Sequence, residues 1–165
     1  MKVERTYSEE CDKIKAELLK KLKEHLRLTV DDFDSELSGL LDAAIETAEK
    51  ETGCVFLPSQ FKITSKTSIE ECGYYPADEA TSLKIDGVET DLERVHISGG
   101  KVCVHTDEGK SIEVVFDAGY LVMPSPVFIA VFLMAGSWWQ NPTDSVETLP
   151  KASTNLLKNY RRWLR

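Results

Sequence analysis

The chain has 165 residues with 28 acidic and 20 basic side chains, a formal net charge of -8 and 42% hydrophobic residues. That length suits one domain, large enough to fold without a disulfide or metal staple, and the composition excludes wholesale disorder. The acidic balance argues against a protein whose main work is gripping nucleic acid or an anionic membrane, since both need a surplus of Lys and Arg.

Met1-Lys2-Val3-Glu4-Arg5 runs into a charged stretch with no apolar h-region, so no secretory signal is expected. Thr6 and Glu9 have capping-box spacing and predict the start of a first helix. Cys11, Ile14, Leu18, Leu22 and Leu26 then recur at three- and four-residue steps and share one face. Asp31, Asp32 and Asp34 crowd the first turn of a second helix, where acidic charge suits the macrodipole. They lack the alternate ligands and glycine of a calcium loop. Phe33, Leu37, Leu40, Leu41, Ala44, Ile45 and Ala48 form its apolar stripe, and Gly53 stops it. So short a link predicts an antiparallel helical hairpin.

From Val55 to about Ala118 the spacing is that of strands. Phe61 and Ile63 alternate with polar residues, as do Ile112, Val114 and Phe116 after the turn Asp107-Glu108-Gly109. Ile85-Asp86-Gly87-Val88 is a hairpin signal, because Asp-Gly readily takes positive φ. Ser98-Gly99-Gly100-Lys101 turns a second hairpin between Val95, Ile97 and Val102, Val104. The stretch from Glu70 to Ala80 has no clear period and reads as a loop. Ser125 is a helix cap with Pro126 at the first helical position. From Val127 the third helix is apolar nearly all round, so it is central to a core or an interface, and Asn141-Pro142 breaks it. Its apolar run is too short for a membrane helix of roughly 20 residues. A final helix is predicted from about Lys151, with Leu156, Leu157, Tyr160, Trp163 and Leu164 on one side.

The fold class expected is α+β: mostly a helical bundle of about four helices with a β-hairpin-rich insertion between the second and third. The organisation expected is a single domain, with residues 1–54 a helical pair, 55–118 the insertion and 124–165 the C-terminal helices.

Chemistry is thinly represented. In the second hairpin His96 is expected opposite Cys103 and Arg94 opposite His105, which gathers His96, Cys103 and His105 on one face. These three are the metal candidate, but common zinc spacings are absent. The simpler reading puts the four β-branched residues toward the core and the polar trio toward water. Cys11, Cys54, Cys72 and Cys103 lie far apart and are expected as free thiols. No nucleophile elbow and no phosphate-binding glycine loop occurs, so neither catalytic residues nor a cofactor are expected.

Charge is more informative. The last fifteen residues hold Lys151, Lys158, Arg161, Arg162 and Arg165 and no acid. Removing this +5 from the chain's -8 leaves -13 on the other 150 residues. With Tyr160 and Trp163, the stretch reads as a basic helix that contacts a partner, or as a helix end whose cations suit its dipole.

An ordered set of segments resembles a known family. Lys23-Glu24-His25-Leu26-Arg27-Leu28, Asp31-Asp32, Leu37, Ala43-Ala44, Glu49 and Thr52-Gly53 lie in the first helical pair. Ile112-Glu113-Val114-Val115-Phe116-Asp117-Ala118-Gly119-Tyr120 follows the β region. Pro124 and the apolar helix ending in Trp138-Trp139-Gln140-Asn141 come next, then Leu149-Pro150, Leu156-Leu157 and Tyr160-Arg161-Arg162-Trp163. In order and spacing these are similar to the small head–tail connector (adaptor) proteins of long-tailed bacteriophages and their prophages. Pro142-Thr143 departs from the family, which often has Arg-Glu there.

The resemblance implies a structural virion protein, not an enzyme. It implies a ring, twelve-fold on the particle, at the virion neck between portal and tail or stopper protein. DNA would pass through without specific binding during packaging, with no membrane involved and synthesis in the host bacterial cytoplasm. Trp138, Trp139, Lys158, Tyr160, Arg161, Arg162, Trp163 and Arg165 are the candidate oligomer or portal interface. The alternatives are another phage structural or assembly protein, and a nucleic-acid-binding regulator using the basic C-terminal helix.

Overall fold

A computed structural model describes residues 1–107, 109–142 and 150–162. The described residues are α+β, with four helices and two antiparallel sheets. The described residues form two compact units. One contains residues 1–11, 53–121 and Arg162; the other contains 12–52 and the described part of 122–161.

The first unit is built on strands. β1 (Lys2–Tyr7), β2 (Ser59–Ser65), β4 (Ala77–Ile85), β5 (Val88–Glu89) and β8 (Ile112–Ala118) make a five-stranded sheet in the order β1-β2-β8-β4-β5. β3 (Ile69–Cys72), β6 (Val95–Ser98) and β7 (Lys101–Val104) make a second, ordered β3-β7-β6. Period-two alternation sends Phe61, Ile63, Ile112, Val114 and Phe116 inward from the large sheet and Ile69, Val102 and Val104 from the small one. Phe61, Tyr74 and Phe116 stand within 4.9–5.7 Å of one another, centroid to centroid, at the heart of this core.

Both predicted hairpins form. Asp86 and Gly87 take positive φ between β4 and β5, and Gly99 and Gly100 do so between β6 and β7. The turn predicted at Asp107-Glu108-Gly109 includes Glu108, which lies outside the described residues.

Several expectations are corrected. Thr6 is no helix cap: it lies in β1, and the first helix begins at Glu9. The β region is not confined to the segment between helices, because β1 precedes the first helix and pairs with β2 from Lys2↔Thr64 to Tyr7↔Ser59. The stretch from Glu70 to Ala80 is not one loop, since it holds most of β3 and the start of β4. Register shifts between Ala77, Ala80 and Ser82 mark bulges, and an extra residue destroys the alternation that identifies a strand.

The second unit is helical. α1 (Glu9–Leu26) closes in a Schellman motif. Arg27 has φ 59°, the Leu28 amide donates to the Lys23 carbonyl at 2.9 Å, and the Arg27 amide donates to that of Glu24 at 3.1 Å. α2 (Asp34–Thr52) starts at Asp34, so Asp31 and Asp32 precede it rather than filling its first turn. Lys23 of α1 ion-pairs with Asp31, and with Asp34 at 2.6 Å. Lys15 reaches Asp42 at 2.8 Å. These bridges link α1 to the α2 region, while the close backbone packing is of α2 on α3 (Ser125–Gln140) and of α3 on α4 (Lys151–Leu157).

α3 is central, as an all-round apolar helix should be. Val127, Ala130, Val131, Phe132, Met134, Ala135 and Gly136 are buried. Its cap is Pro124, with Ser125 and Pro126 already inside the first turn, and it ends before Asn141-Pro142 as expected. α4 is shorter than predicted: one 3-10 turn follows it (Lys158–Tyr160), and Arg161 leaves in an extended conformation.

Candidate functional site

The residues singled out from the sequence fall at three places. Trp138 and Trp139 occupy the last turn of α3, both half-buried. Trp139 meets Phe33 edge-on, with centroids 5.2 Å apart at 68°. A Trp edge on a Phe ring is a favourable packing geometry, so Trp139 is partly spent inside its own unit.

The second place is the C-terminal stretch. Lys158 is exposed and Tyr160 half-buried on the 3-10 turn. Arg161 pairs with Glu51 of α2 at 2.5 Å. The Arg162 guanidinium lies over the Tyr75 ring, 3.7 Å from its centroid, in the β unit. Trp163 and Arg165 lie outside the described residues. The expected continuous basic helix is therefore corrected. Arg161 and Arg162 follow the helix and make separate contacts instead of sharing one charged helix face.

The third place is the second hairpin. His96 stands opposite Cys103 as predicted, and the same row continues to Glu70 of β3. The ladder ends at Val95↔Val104, so the expected Arg94–His105 pair does not form; Arg94 closes a 3-10 turn instead. Val102 and Val104 are buried, and Val95 and Ile97 pack partly buried against the same core. His96 and His105 are exposed, and Cys103 is half-buried. Lys101 bonds Glu70 at 3.0 Å on the polar face and, with a weaker effect from His105, holds the Glu70 carboxyl below the usual range. Among the described residues no group of three or more His, Cys, Asp or Glu is arranged to hold a metal ion. Cys11, Cys54 and Cys103 are free thiols.

Two surface features were not foreseen. Leu121 and Val122 are adjacent and strongly exposed, at 69% and 83%. A groove of about 600 Å³ runs beside Ala77, Asp78, Glu79 and Ala80 on one side and Val95, His96 and Ile97 on the other. Ala77, Asp78, Glu79 and Ala80 come from the stretch read as a loop, which hid the groove.

No family model matches the chain, and no curated protein matches it. Solved structures share its fold. A chain in the neck of an empty GTA particle, computed with C6 symmetry, matches with TM-score 0.76 and 20% identity, covering 98% of this chain and 95% of that one. A chain in the neck of a native GTA particle, computed with C12 symmetry, matches with TM-score 0.75 and 16% identity over the same shares. A chain in the virion of a native gene transfer agent particle matches with TM-score 0.74 and 20% identity, again over 98% and 95%. At these identities the likeness is one of fold. Among the described residues no helix is long and apolar enough to cross a membrane.

Proposed function

We propose that this chain is a structural neck protein of a phage-like particle, a head–tail connector that assembles as a ring between portal and tail and continues the DNA channel. The observation that carries this reading is a fold shared over almost the full length with chains of particle necks solved under C6 and C12 symmetry. The ordered segments of the sequence support the same reading independently. Its partners are further copies of itself, twelve to a ring, the portal protein, and a tail or stopper protein. Its role is structural, not catalytic, and its place is the virion neck after synthesis in the host cytoplasm.

The charge distribution suits a channel component. A body carrying -13 outside its last fifteen residues repels a polyanion, so DNA slides past without adhering. The alternative of a nucleic-acid-binding regulator is weakened, because Arg161 and Arg162 lie beyond the helix that carries Lys151 rather than along it.

Native mass spectrometry of protein purified without chelator, across a concentration series and with the portal protein added, tests the reading. A closed ring of twelve copies is the expected result. A chain that stays monomeric at every concentration and with the portal present overturns it.

A further inference from the structure

The helical unit leaves apolar side chains uncovered at two places. The first is on α3. That helix is apolar nearly all round, and α2 and α4 pack on it, yet one line of it faces solvent. Ser125 and Ile129 are exposed there, with Pro126 and Leu133 half-buried. Ile129 is 45% exposed, and Val122, just ahead of the helix, is 83% exposed. The second place is the link between α1 and α2, where Val30 is 45% exposed and Phe33 41%. Phe33 stands against Trp139, at the far end of α3. At 1.5 Å and 3.6 residues per turn, Trp139 lies about 15 Å further along the axis than Ile129 and about 80° round it. The two apolar groups are therefore separate surfaces and not halves of one patch. Their borders differ in charge. The Lys21 ammonium, which also pairs with Glu17 at 2.6 Å, lies 5.9 Å from the centroid of the Phe128 ring beside Ile129. Phe33 follows the exposed Asp31 and Asp32. Asp31 pairs with Lys23, while Asp32 has no ion-pair partner among the described residues.

We infer that these surfaces are the two halves of a seam between copies of this chain: the Ile129 surface of one copy packs on the Val30–Phe33 surface of the next. The inference rests on the ring reading and names a contact that closes the ring. Copies in a closed ring meet head to tail, so each must carry two different, mutually complementary surfaces. A surface that matched only itself would stop at two copies. The helical unit meets the requirement: it carries two apolar surfaces, set apart on α3, one bordered by a cation and the other by carboxylates. Joining them removes Val122, Ile129, Val30 and Phe33 from water, which is the main source of association energy. The bordering charges fix which surface meets which, because like surfaces would set cation against cation or carboxylate against carboxylate.

Two full-length variants test the seam. Ile129→Arg spoils the first surface and keeps the second, and Val30→Arg does the reverse. Both positions are exposed, so circular dichroism and melting temperature should stay near native. Val122→Arg and Phe33→Ser replace whichever of the two fails to fold. With the portal protein present, native mass spectrometry should find each variant alone giving at least about tenfold fewer rings than the native chain. Mixed in equal amounts, the two variants should form a heterodimer, because one intact surface of each kind remains and makes a single seam. Rings in native yield from either folded variant, or a mixture with no more dimer than each variant gives alone, overturns the inference. The ring reading fails separately. A native chain that never assembles with the portal ends that reading, while variants that form rings as well as the native chain end only the assignment of the seam.

Discussion

Gly119 has no room for a side chain. Its φ is +112°, and a Cβ there would stand 2.3 Å from the Leu57 carbonyl oxygen, which is backbone and has no rotamer to escape into. Its amide donates to the Pro76 carbonyl at 2.9 Å, so the residue cannot simply swing away. Gly119→Ala should cost about 2 kcal/mol or more, seen as a lower denaturation midpoint with an unchanged folded spectrum. Lys23 offers a prediction in pH. Asp31 and Asp34 raise the Lys23 ammonium above its ordinary 10.5, and Lys23 holds the Asp31 carboxyl below its ordinary 3.8. A depressed carboxyl stabilises the fold above its unfolded value and loses that contribution as pH falls through the native one. The raised ammonium acts at the other end: its contribution is complete below 10.5 and is lost above it. Asp31→Asn should therefore lower Tm slightly at pH 7, and the two melting curves should converge at a pH well below 3.8. The sequence shows the aspartates but not this partner, because a lysine eight residues back across a turn has no local signature.

How far each element could be read depended on where its information lies. The two hairpins were legible because Asp86-Gly87 and Gly99-Gly100 specify positive φ within the turn itself. α3 was legible because an all-round apolar helix has to sit inside something. β1 was not. Its residues are exposed apart from half-buried Arg5, and its partner β2 lies more than fifty residues further on. β4 was lost to its bulges, and with it the groove. The end of α4 was misjudged because Tyr160-Arg161-Arg162 contains neither the glycine nor the proline that usually marks a stop. That boundary decides where the chain can be truncated. Ser153 and Leu157 are buried, and α4 packs on α3, so removing everything after Pro150 strips part of a core. Ending the chain after Tyr160 should leave the circular dichroism and melting temperature near native while abolishing ring assembly. Rings from that variant would show that assembly uses other surfaces.

The segregation of charge has a consequence for the protein as a whole. Most of the chain carries -13 and one end carries +5, so its field is that of an acidic particle with a single basic terminus. Duplex DNA should not be retained in a gel-shift experiment even at low ionic strength, where phosphate contacts are strongest. Retention that falls steeply with salt would instead favour the regulator reading. The resemblance in the sequence pointed to the same kind of particle whose neck chains share this fold, because it rested on ordered segments spread along the chain rather than on one motif. Individual interface residues were less legible: Trp139, Arg161 and Arg162 already have partners at home, and composition cannot distinguish a residue waiting for a neighbour from one that has found it.

The position of β8 bears on how such a protein is made. It is the strand between β2 and β4, yet it is the last of the eight to leave the ribosome. Neither neighbour can complete its ladder before residue 118 is translated, and α2 must wait longer still for α3 to cover its apolar stripe. The nascent chain thus carries two unfinished surfaces for most of its synthesis. The basic segment is translated after both β8 and α3, so a contact that depends on it cannot form between copies that still lack either element.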